Sequence, residues 1–284
     1  MRVDVMGVDA VWLPTDIDER EVEGFLTNDN YCAQVKEDGI HVLASRNAQG
    51  RVDTRNRRGE LHTVPEAFAK MVAQWAPETM VDGERLHEGG FVGFDMLYDA
   101  GNELRGKPYR DRLLRLTEFA LDVNSPLFRV VETALDTEAK RALVDRLRAE
   151  NKEGVIFKDL RSAYTPGRTA WGWSMRRLKF LKSMTAMIMR RPADYTGKDA
   201  NKASFEVFLT DQGKWVNIGT VSAQQFYDRL KPGESAIAEV SYLYATPGNR
   251  VVQPRLKRPN PFRSDKQAED CTLDQLIKGG RFAG

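Results

Sequence analysis

The chain has 284 residues, of which 41% are hydrophobic and 30% charged, and its formal net charge is +2. This length and composition fit a folded protein of two ordinary domains or one large one, and they exclude the disordered, fibrous and low-complexity classes. The near-neutral balance neither requires nor excludes a polyanionic partner. Basic residues cluster at 51–59, 175–182 and 254–266, in runs that suit phosphate contacts or, equally, ordinary solvated faces.

The numbers of cysteines and histidines limit the possible disulfides and metal sites and indicate the cellular compartment. Cys32 and Cys271 are the only cysteines, and they stand beside three histidines. This argues against a disulfide scaffold and against a zinc site, and it fits a reducing cytosol. No segment has the length of a signal-peptide core or of a membrane span. We therefore expect a cytoplasmic protein without a membrane partner.

The first half of the chain predicts mixed helices and strands. Residues 15–25 begin with Thr or Asp and then acids, as a short capped helix does. Alternation from Tyr31 to Val52, broken by the turn NAQG, predicts strands in a meander. An amphipathic helix with proline near its start is predicted at 64–75. Strands follow at 78–86 and 90–98, and a helix-prone basic segment then runs to about Ala120.

The second half of the chain changes from mixed helices and strands to short strands. The clearest helix is predicted at 133–150, and EGVIFKDL reads as a strand after it. Beyond the polar, turn-rich segment 191–203, short strand candidates lie at 205–210, 215–221, 235–244 and 250–256. Several short strands at such spacing predict a small barrel. We therefore predict an α+β protein with one domain at 1–190 and a second at 191–284.

A lysine stands beside acids and a glycine where the first predicted strand ends, in KEDG at 36–39. A lysine attacks only as the neutral amine, so a nucleophilic lysine needs burial or neighbouring cations. By itself this short pattern is more typical of an exposed turn. Six further motifs follow it in order: RRGE at 57–60, VDGERL at 81–86, GFVGFDMLY at 90–98, EGVIFKD at 153–159, RRLKFLK at 176–182 and FRSDK at 262–266.

This ordered set resembles the motif series of the covalent nucleotidyltransferases, and most of all that of the ATP-dependent DNA ligases. The stretch FVGFDMLYDAGNELRGKPYRDRLLRL and the ending FRSDKQAEDC carry the closest similarity. The resemblance implies an adenylylation (nucleotidyltransferase) domain of antiparallel sheets and helices, followed by a small OB-fold barrel. It also implies three steps: lysine attacks the α-phosphate of ATP, AMP passes to the 5′-phosphate of a nick, and the 3′-hydroxyl displaces AMP.

The resemblance assigns roles to six residues of the first domain. Lys36 is the implied nucleophile, which Asp38 and Gly39 present in a turn. Glu84 is implied as the acid near the ribose and metal, and Phe94 as the ring that stacks on adenine. Glu153 is implied to bind Mg²⁺, with Mn²⁺ as an alternative, directly or through water.

Basic residues are implied to bind phosphates. Arg57 corresponds to an arginine that holds the nick 5′-phosphate or the AMP phosphate, with Arg55 and Arg58 as close rivals for DNA contact. The family's KxK pattern is here either Arg177 with Lys179 or Lys179 with Lys182. We therefore expect Lys179 first, and Lys182 second, at the α-phosphate.

The terminal motif supplies Arg263, Asp265 and Lys266, which the resemblance implies to orient pyrophosphate when the barrel swings over the ATP site. The segment 191–203 is the candidate hinge for that motion. The alternative is a basic loop that only touches DNA phosphates.

Two departures keep other functions open. His41 stands where DNA ligases often have arginine, and KEDG is also typical of some RNA ligases, so an RNA ligase is one alternative. A catalytically silent nucleic-acid-binding relative is another. About 35 residues precede Lys36, which predicts a minimal, monomeric enzyme of the kind common in bacteriophages, active in the host cytoplasm. Its hold on nicked duplex DNA is expected to weaken steeply with salt.

Overall fold

The computed structural model describes residues 11–168, 174–197 and 199–278. The strands are β1 Thr15–Asp16, β2 Tyr31–Val35, β3 Gly39–Arg46, β4 Val52–Asn56, β5 Thr79–Leu86, β6 Phe91–Asp99, β7 Asn102–Glu103, β8 Phe128–Val130, β9 Thr133–Ala134, β10 Gly154–Asp159, β11 Met175–Lys179, β12 Lys182–Arg190, β13 Ser204–Asp211, β14 Lys214–Ser222, β15 Ser235–Tyr242 and β16 Arg255–Leu256. The α-helices are α1 Val22–Leu26, α2 Glu66–Val72, α3 Tyr109–Val123 and α4 Thr137–Ala149. Short 3₁₀ helices lie at Glu19–Glu21, Gln224–Arg229, Ala268–Asp270 and Leu273–Gln275.

The described residues divide into two compact units. The first runs to Glu150 and resumes at Gly154–Lys179, and the second comprises Asn151–Glu153 and the described residues from Phe180 onward. The division thus falls about ten residues before the predicted boundary at 190, because β12 pairs with β13 and β15 of the second unit. The candidate hinge at 191–203 joins β12 to β13, so it links two strands of one unit rather than the two units. The outer ends of both predicted domains, 1–10 and 279–284, lie outside the described residues.

The first unit holds two sheets. One is five-stranded in the order β1-β11-β10-β2-β9, and the other runs β4-β3-β5-β6-β7 with β8 paired to β6. The predicted meander over Tyr31–Val52 is therefore wrong at its first connection. Since β10 and β9 occupy both edges of β2, β3 cannot pair there, and residues 36–38 carry the chain into the second sheet.

The helices cover these sheets with apolar faces. In α2, Phe68, Met71 and Val72 pack in the core of the six-stranded sheet, together with Leu116 and Phe119 of α3. Pro65 precedes α2, as predicted.

Helix starts are set by caps and by strand pairing. The predicted helix at 133–150 begins only at Thr137, capped by Asp136, because residues 133–134 pair with β2. Near the N-terminus Asp18 forms a capping box for the short helix, whereas residues 15–16 pair with β11.

The second unit is a closed five-stranded barrel in the order β12-β13-β14-β16-β15. Its interior is filled by Ile188, Phe205, Val207, Ile218 and Val240, among others. The small barrel and the α+β class predicted from the sequence are thereby confirmed, although the strand expected at 250–256 shortens to β16. Within the described ranges, no helix is long and apolar enough to cross a membrane.

Candidate active site

Lys36 stands at one end of the five-stranded sheet, directly after β2. Its amide donates a hydrogen bond of 3.1 Å to the carbonyl of Gly154, the first residue of β10. Across the next pair of strands, Gly154 lies opposite Lys179, the last residue of β11. Lys36 and Lys179 therefore flank Gly154 from the two neighbouring strands, and both lysines are half-buried.

Gly154 is required by the closeness of this strand pairing. A Cβ atom added there would lie 2.1 Å from the carbonyl oxygen of Leu178, closer than any side chain tolerates. The preceding residue, Glu153, is only 6% exposed, and its carbonyl accepts the amide of Phe180 at 3.1 Å. In the sequence EGV, the buried Glu153 is thus the last residue before β10. Gly154 begins that strand, where a side chain would collide with Leu178.

The three candidates for the KxK motif lie in different surroundings. The guanidinium of Arg177 pairs with Asp16 at 2.5 Å. Lys182 belongs to the second unit, where its Nζ donates to the carbonyl of Leu243 at 3.1 Å and burial lowers its pKa. Of the three candidates, Lys179 is the one that ends a strand beside Gly154.

The acid predicted near the ribose lies on the other sheet of the first unit. Glu84 of β5 is half-buried and pairs in register with His41 of β3. The two strands approach closely where β3 begins, since a Cβ atom on Gly39 would lie 2.4 Å from the carbonyl oxygen of Arg85. The glycine of KEDG therefore allows the turn after Lys36 to enter this sheet beside the strand that carries Glu84.

Phe94 occupies a β-bulge. Asp95 pairs with Asp82 and Gly93 with Gly83, so Phe94 between them has no partner on β5. An extra residue of this kind re-aims its side chain, and Phe94 is half-buried between two buried neighbours. Its carbonyl accepts bonds from the Tyr109 hydroxyl at 2.7 Å and from Lys158 Nζ at 3.2 Å. The ring is thus presented from a fixed backbone.

A buried polar chain, which the sequence reasoning missed, runs beside Phe94. Asp82 accepts His41 Nε2 at 2.5 Å and the Tyr164 hydroxyl at 2.8 Å, and that hydroxyl accepts the amide of Trp12. Burial alone lowers the pKa of His41, but the charge and hydrogen bond of Asp82 outweigh it and raise that pKa. The His41 ring meets Phe94 edge-on, with centroids 5.5 Å apart. Asp82 stands two residues before Glu84 in the motif VDGERL, and this position in the motif could have marked it as a site residue.

The second missed group is an ion cluster on the aspartate of the FDxL segment. Asp95 and Arg112 are both 0% exposed and form two parallel bonds of 2.7 and 2.9 Å. Lys158 Nζ lies 3.8 Å from the same carboxylate, and burial lowers its pKa. Two cations around one carboxylate hold β6, α3 and β10 together directly behind Phe94.

The predicted phosphate-binding arginines surround a turn at the end of β4. Arg57 and Arg58 are exposed there. Arg55 instead donates to the carbonyl of Gly59 at 2.7 Å and lies 3.5 Å from Asp53. Arg55 therefore braces the turn, whereas the other two arginines face solvent.

The terminal motif lies in the second unit. Arg263 binds Asp265 through bonds of 2.8 and 2.6 Å and reaches Glu239 at 3.0 Å. The paired guanidinium holds the pKa of Asp265 at about 2. Lys266 lies 3.4 Å from Asp270. Each cation of this motif is thus already paired with a carboxylate of its own unit.

The residues that the structure describes contain no cluster of three or more His, Cys, Asp or Glu side chains suited to hold a metal ion. Cys32 and Cys271 are buried thiols without a disulfide.

Comparison with known proteins finds similarity to DNA ligases. Residues 85–176 match the ATP dependent DNA ligase domain. A DNA ligase of Nanoarchaeum equitans is 24% identical over 173 residues, which cover 57% of this chain and 30% of that protein. A probable DNA ligase of Saccharopolyspora erythraea is 40% identical over 80 residues, or 28% of this chain and 15% of that protein. The chain thus matches less than a third of the length of these curated relatives.

A solved structure matches along nearly the whole chain. It comes from a study of Lig E DNA ligases, described as DNA binding with a minimal scaffold. It superposes with a TM-score of 0.65 at 18% identity and covers 90% of this chain and 100% of the other. This likeness confirms the predicted fold, a nucleotidyltransferase domain followed by an OB barrel. Together with the domain match, it confirms the resemblance predicted from the motifs: the chain is similar to the ATP-dependent DNA ligases, in sequence over residues 85–176 and in fold along most of its length.

Proposed function

We propose that the protein seals 5′-phosphate, 3′-hydroxyl nicks in duplex DNA, as a monomer, through a covalent lysyl-AMP and an adenylylated DNA. The observation that carries this proposal is the position of Lys36, whose amide is fixed on Gly154 while Lys179 ends the strand on the far side of that glycine. A half-buried lysine at the end of a rigid sheet, with a second cation nearby, suits nucleophilic attack on a phosphate.

The first step is a phosphoryl transfer. The neutral amine of Lys36 attacks the α-phosphorus of ATP, an N–P bond forms, and the bond to the bridging oxygen breaks. Pyrophosphate leaves with the electron pair, and the nitrogen releases a proton. Lys179 is assigned to the charge that develops on the α-phosphate oxygens, and Arg263 and Lys266 to the departing pyrophosphate. Catalysis of this kind depends on alignment and charge stabilisation.

The divalent ion is assigned to Glu84 and Glu153. Carboxylate oxygens are the ligands that Mg²⁺ prefers, and one or two of them suffice when substrate phosphates complete the shell. The buried carboxylate of Glu153 and the half-buried one of Glu84 fit that donor chemistry. When bound, the ion supplies positive charge to the phosphate oxygens.

The later steps use the same site. AMP passes from Lys36 to the 5′-phosphate at the nick, and the 3′-hydroxyl then attacks that phosphorus and displaces AMP. The exposed Arg57 and Arg58 are assigned to DNA phosphates, for which a guanidinium is the best-matched donor. Arg55 has the lesser share because it braces its own turn.

Replacing Phe94 with alanine is expected to weaken ATP binding. Stacking on an aromatic ring contributes about 1–3 kcal/mol per base, so the KM for ATP in lysyl-AMP formation should rise about 5- to 150-fold. Phe94→Tyr keeps the ring and should stay near the parent value. An unchanged KM in Phe94→Ala would remove Phe94 from the adenine site.

The proposed function is tested by sealing of a labelled nick with ATP and Mg²⁺, in parallel on a DNA nick, an all-RNA nick and single-stranded RNA, each repeated with EDTA. Sealing of the DNA nick alone, lost with EDTA, supports the proposal. The runner-up is an RNA ligase, which KEDG and His41 favour, and sealing of RNA alone would establish it. Sealing of neither, without any protein–AMP adduct, would indicate a silent relative.

A further inference from the structure

Two connections cross side by side between the sheets of the first unit. One is the nucleophile loop, residues 36–38, which leads from β2 to β3. The other is the two-residue link from β8, which pairs with β6, to β9, which pairs with β2. The amide of Val35 donates to the carbonyl of Glu132 in that link at 3.3 Å, and the amide of Val131 donates to the carbonyl of Gly93 at 2.9 Å. The second crossing is thus bonded to both sheets beside the first.

An ion pair joins the β8 strand to the middle of the nucleophile loop. Arg129 Nη2 donates to Glu37 Oε1 at 2.8 Å. The Glu37 side chain is only 13% exposed, whereas Arg129 is 52% exposed. Glu37 is the residue between the lysine and the aspartate of KEDG. The pair therefore ties the backbone immediately after Lys36 to a strand 92 residues away in sequence.

Two further fixed points hold the ends of the loop. The amide of Lys36 is held by the carbonyl of Gly154, and Gly39 pairs with Leu86 where β3 begins. Between these points, the Glu37 carboxylate attaches the loop to β8. Because the Glu37 carboxylate is held, the backbone torsions that set the direction of the Lys36 side chain are restricted. Since in-line attack tolerates little misplacement, such a restraint acts on the rate of the chemical step.

We infer that Arg129 is a positioning residue for lysyl-AMP formation, which acts by holding the Lys36 loop through Glu37. The inference rests on the proposed function. The guanidinium of Arg129 is paired with the Glu37 carboxylate. Its role is therefore to align the nucleophile rather than to bind ATP. Loss of either partner then lowers the rate of adduct formation at saturating ATP and leaves the KM for ATP unchanged.

The test measures single-turnover lysyl-AMP formation over a range of ATP concentrations. Arg129→Ala, the isosteric Glu37→Gln and the double variant are compared with the parent protein. The matched control is Arg146→Ala, which removes an exposed ion pair of 2.6 Å to Glu132 in the same crossing and leaves the pair between Arg129 and Glu37 in place. Each test variant is expected to lose about fivefold in maximal rate, the double variant no more than either single, and the control nothing.

Other outcomes are diagnostic. A higher KM in Arg129→Ala, with Glu37→Gln unaffected, would mean that Arg129 contacts the nucleotide itself and would overturn the inference. Parent-like rates in both singles, or an equal loss in Arg146→Ala, would overturn it as well. A parent protein that forms no adduct would instead refute the proposed function, so the two failures are distinguishable.

Discussion

Replacing Lys36 with alanine is expected to abolish formation of the protein–AMP adduct and, with it, sealing of an unmodified nick. The amine of Lys36 is the proposed nucleophile, and no other atom of the side chain can form the N–P bond. Removal of a nucleophile typically costs about 10³-fold or more. The measurement is transfer of label from α-labelled ATP to the protein, followed by nick sealing with unlabelled ATP.

Two controls separate chemistry from folding. Lys70→Ala removes an exposed lysine of α2 that pairs with Glu66 on the helix surface, and it should label like the parent protein. A nick that already carries AMP on its 5′-phosphate does not need attack by lysine, so Lys36→Ala should still seal it, although more slowly. Retention of full labelling in Lys36→Ala would show that another residue is the nucleophile.

Replacing Arg112 with alanine is expected to unfold the first unit far more easily. Arg112 and Asp95 are both 0% exposed, and Asp95 would be left buried with Lys158 at 3.8 Å as its remaining cation. Removing one partner of a buried pair costs about 3–5 kcal/mol, which is a large share of the stability of an ordinary domain. Urea unfolding monitored by circular dichroism measures the loss.

The same helix offers a matched control. Arg115 pairs with Asp99 at 2.5 Å but is 32% exposed, so Arg115→Ala should cost about 1 kcal/mol or less. A double variant, Arg112→Met with Asp95→Leu, removes both charges and should recover part of the loss. Equal costs for Arg112→Ala and Arg115→Ala would contradict the importance of the buried pair.

Local patterns were sufficient for much of the fold. The helix α2 follows its proline and its apolar spacing, and β5, β6 and β10 coincide with the predicted strands. Barrel strands were predicted from their short alternating runs because each buries one face. The motif order indicated a resemblance to the ATP-dependent DNA ligases, which the match of residues 85–176 to their domain then confirmed.

Non-local pairing explains what the sequence could not reveal. Pairing of β2 with β10 and β9 sends the chain after Lys36 into another sheet, and pairing of β12 with β15 moves the division between the units to Lys179. The bulge at Phe94 depends on the register of two strands. The partners of Glu37 and Asp95 lie 92 and 17 residues away, and no spacing rule links such pairs.

The most direct test of the central claim is to locate AMP on the protein. The parent protein is incubated with ATP and Mg²⁺, digested, and analysed by tandem mass spectrometry. We predict one adenylylated peptide, with AMP on Lys36. AMP on Lys179 or on any other lysine, or a protein that stays unmodified while pyrophosphate is released, would contradict the assignment of Lys36 as the nucleophile.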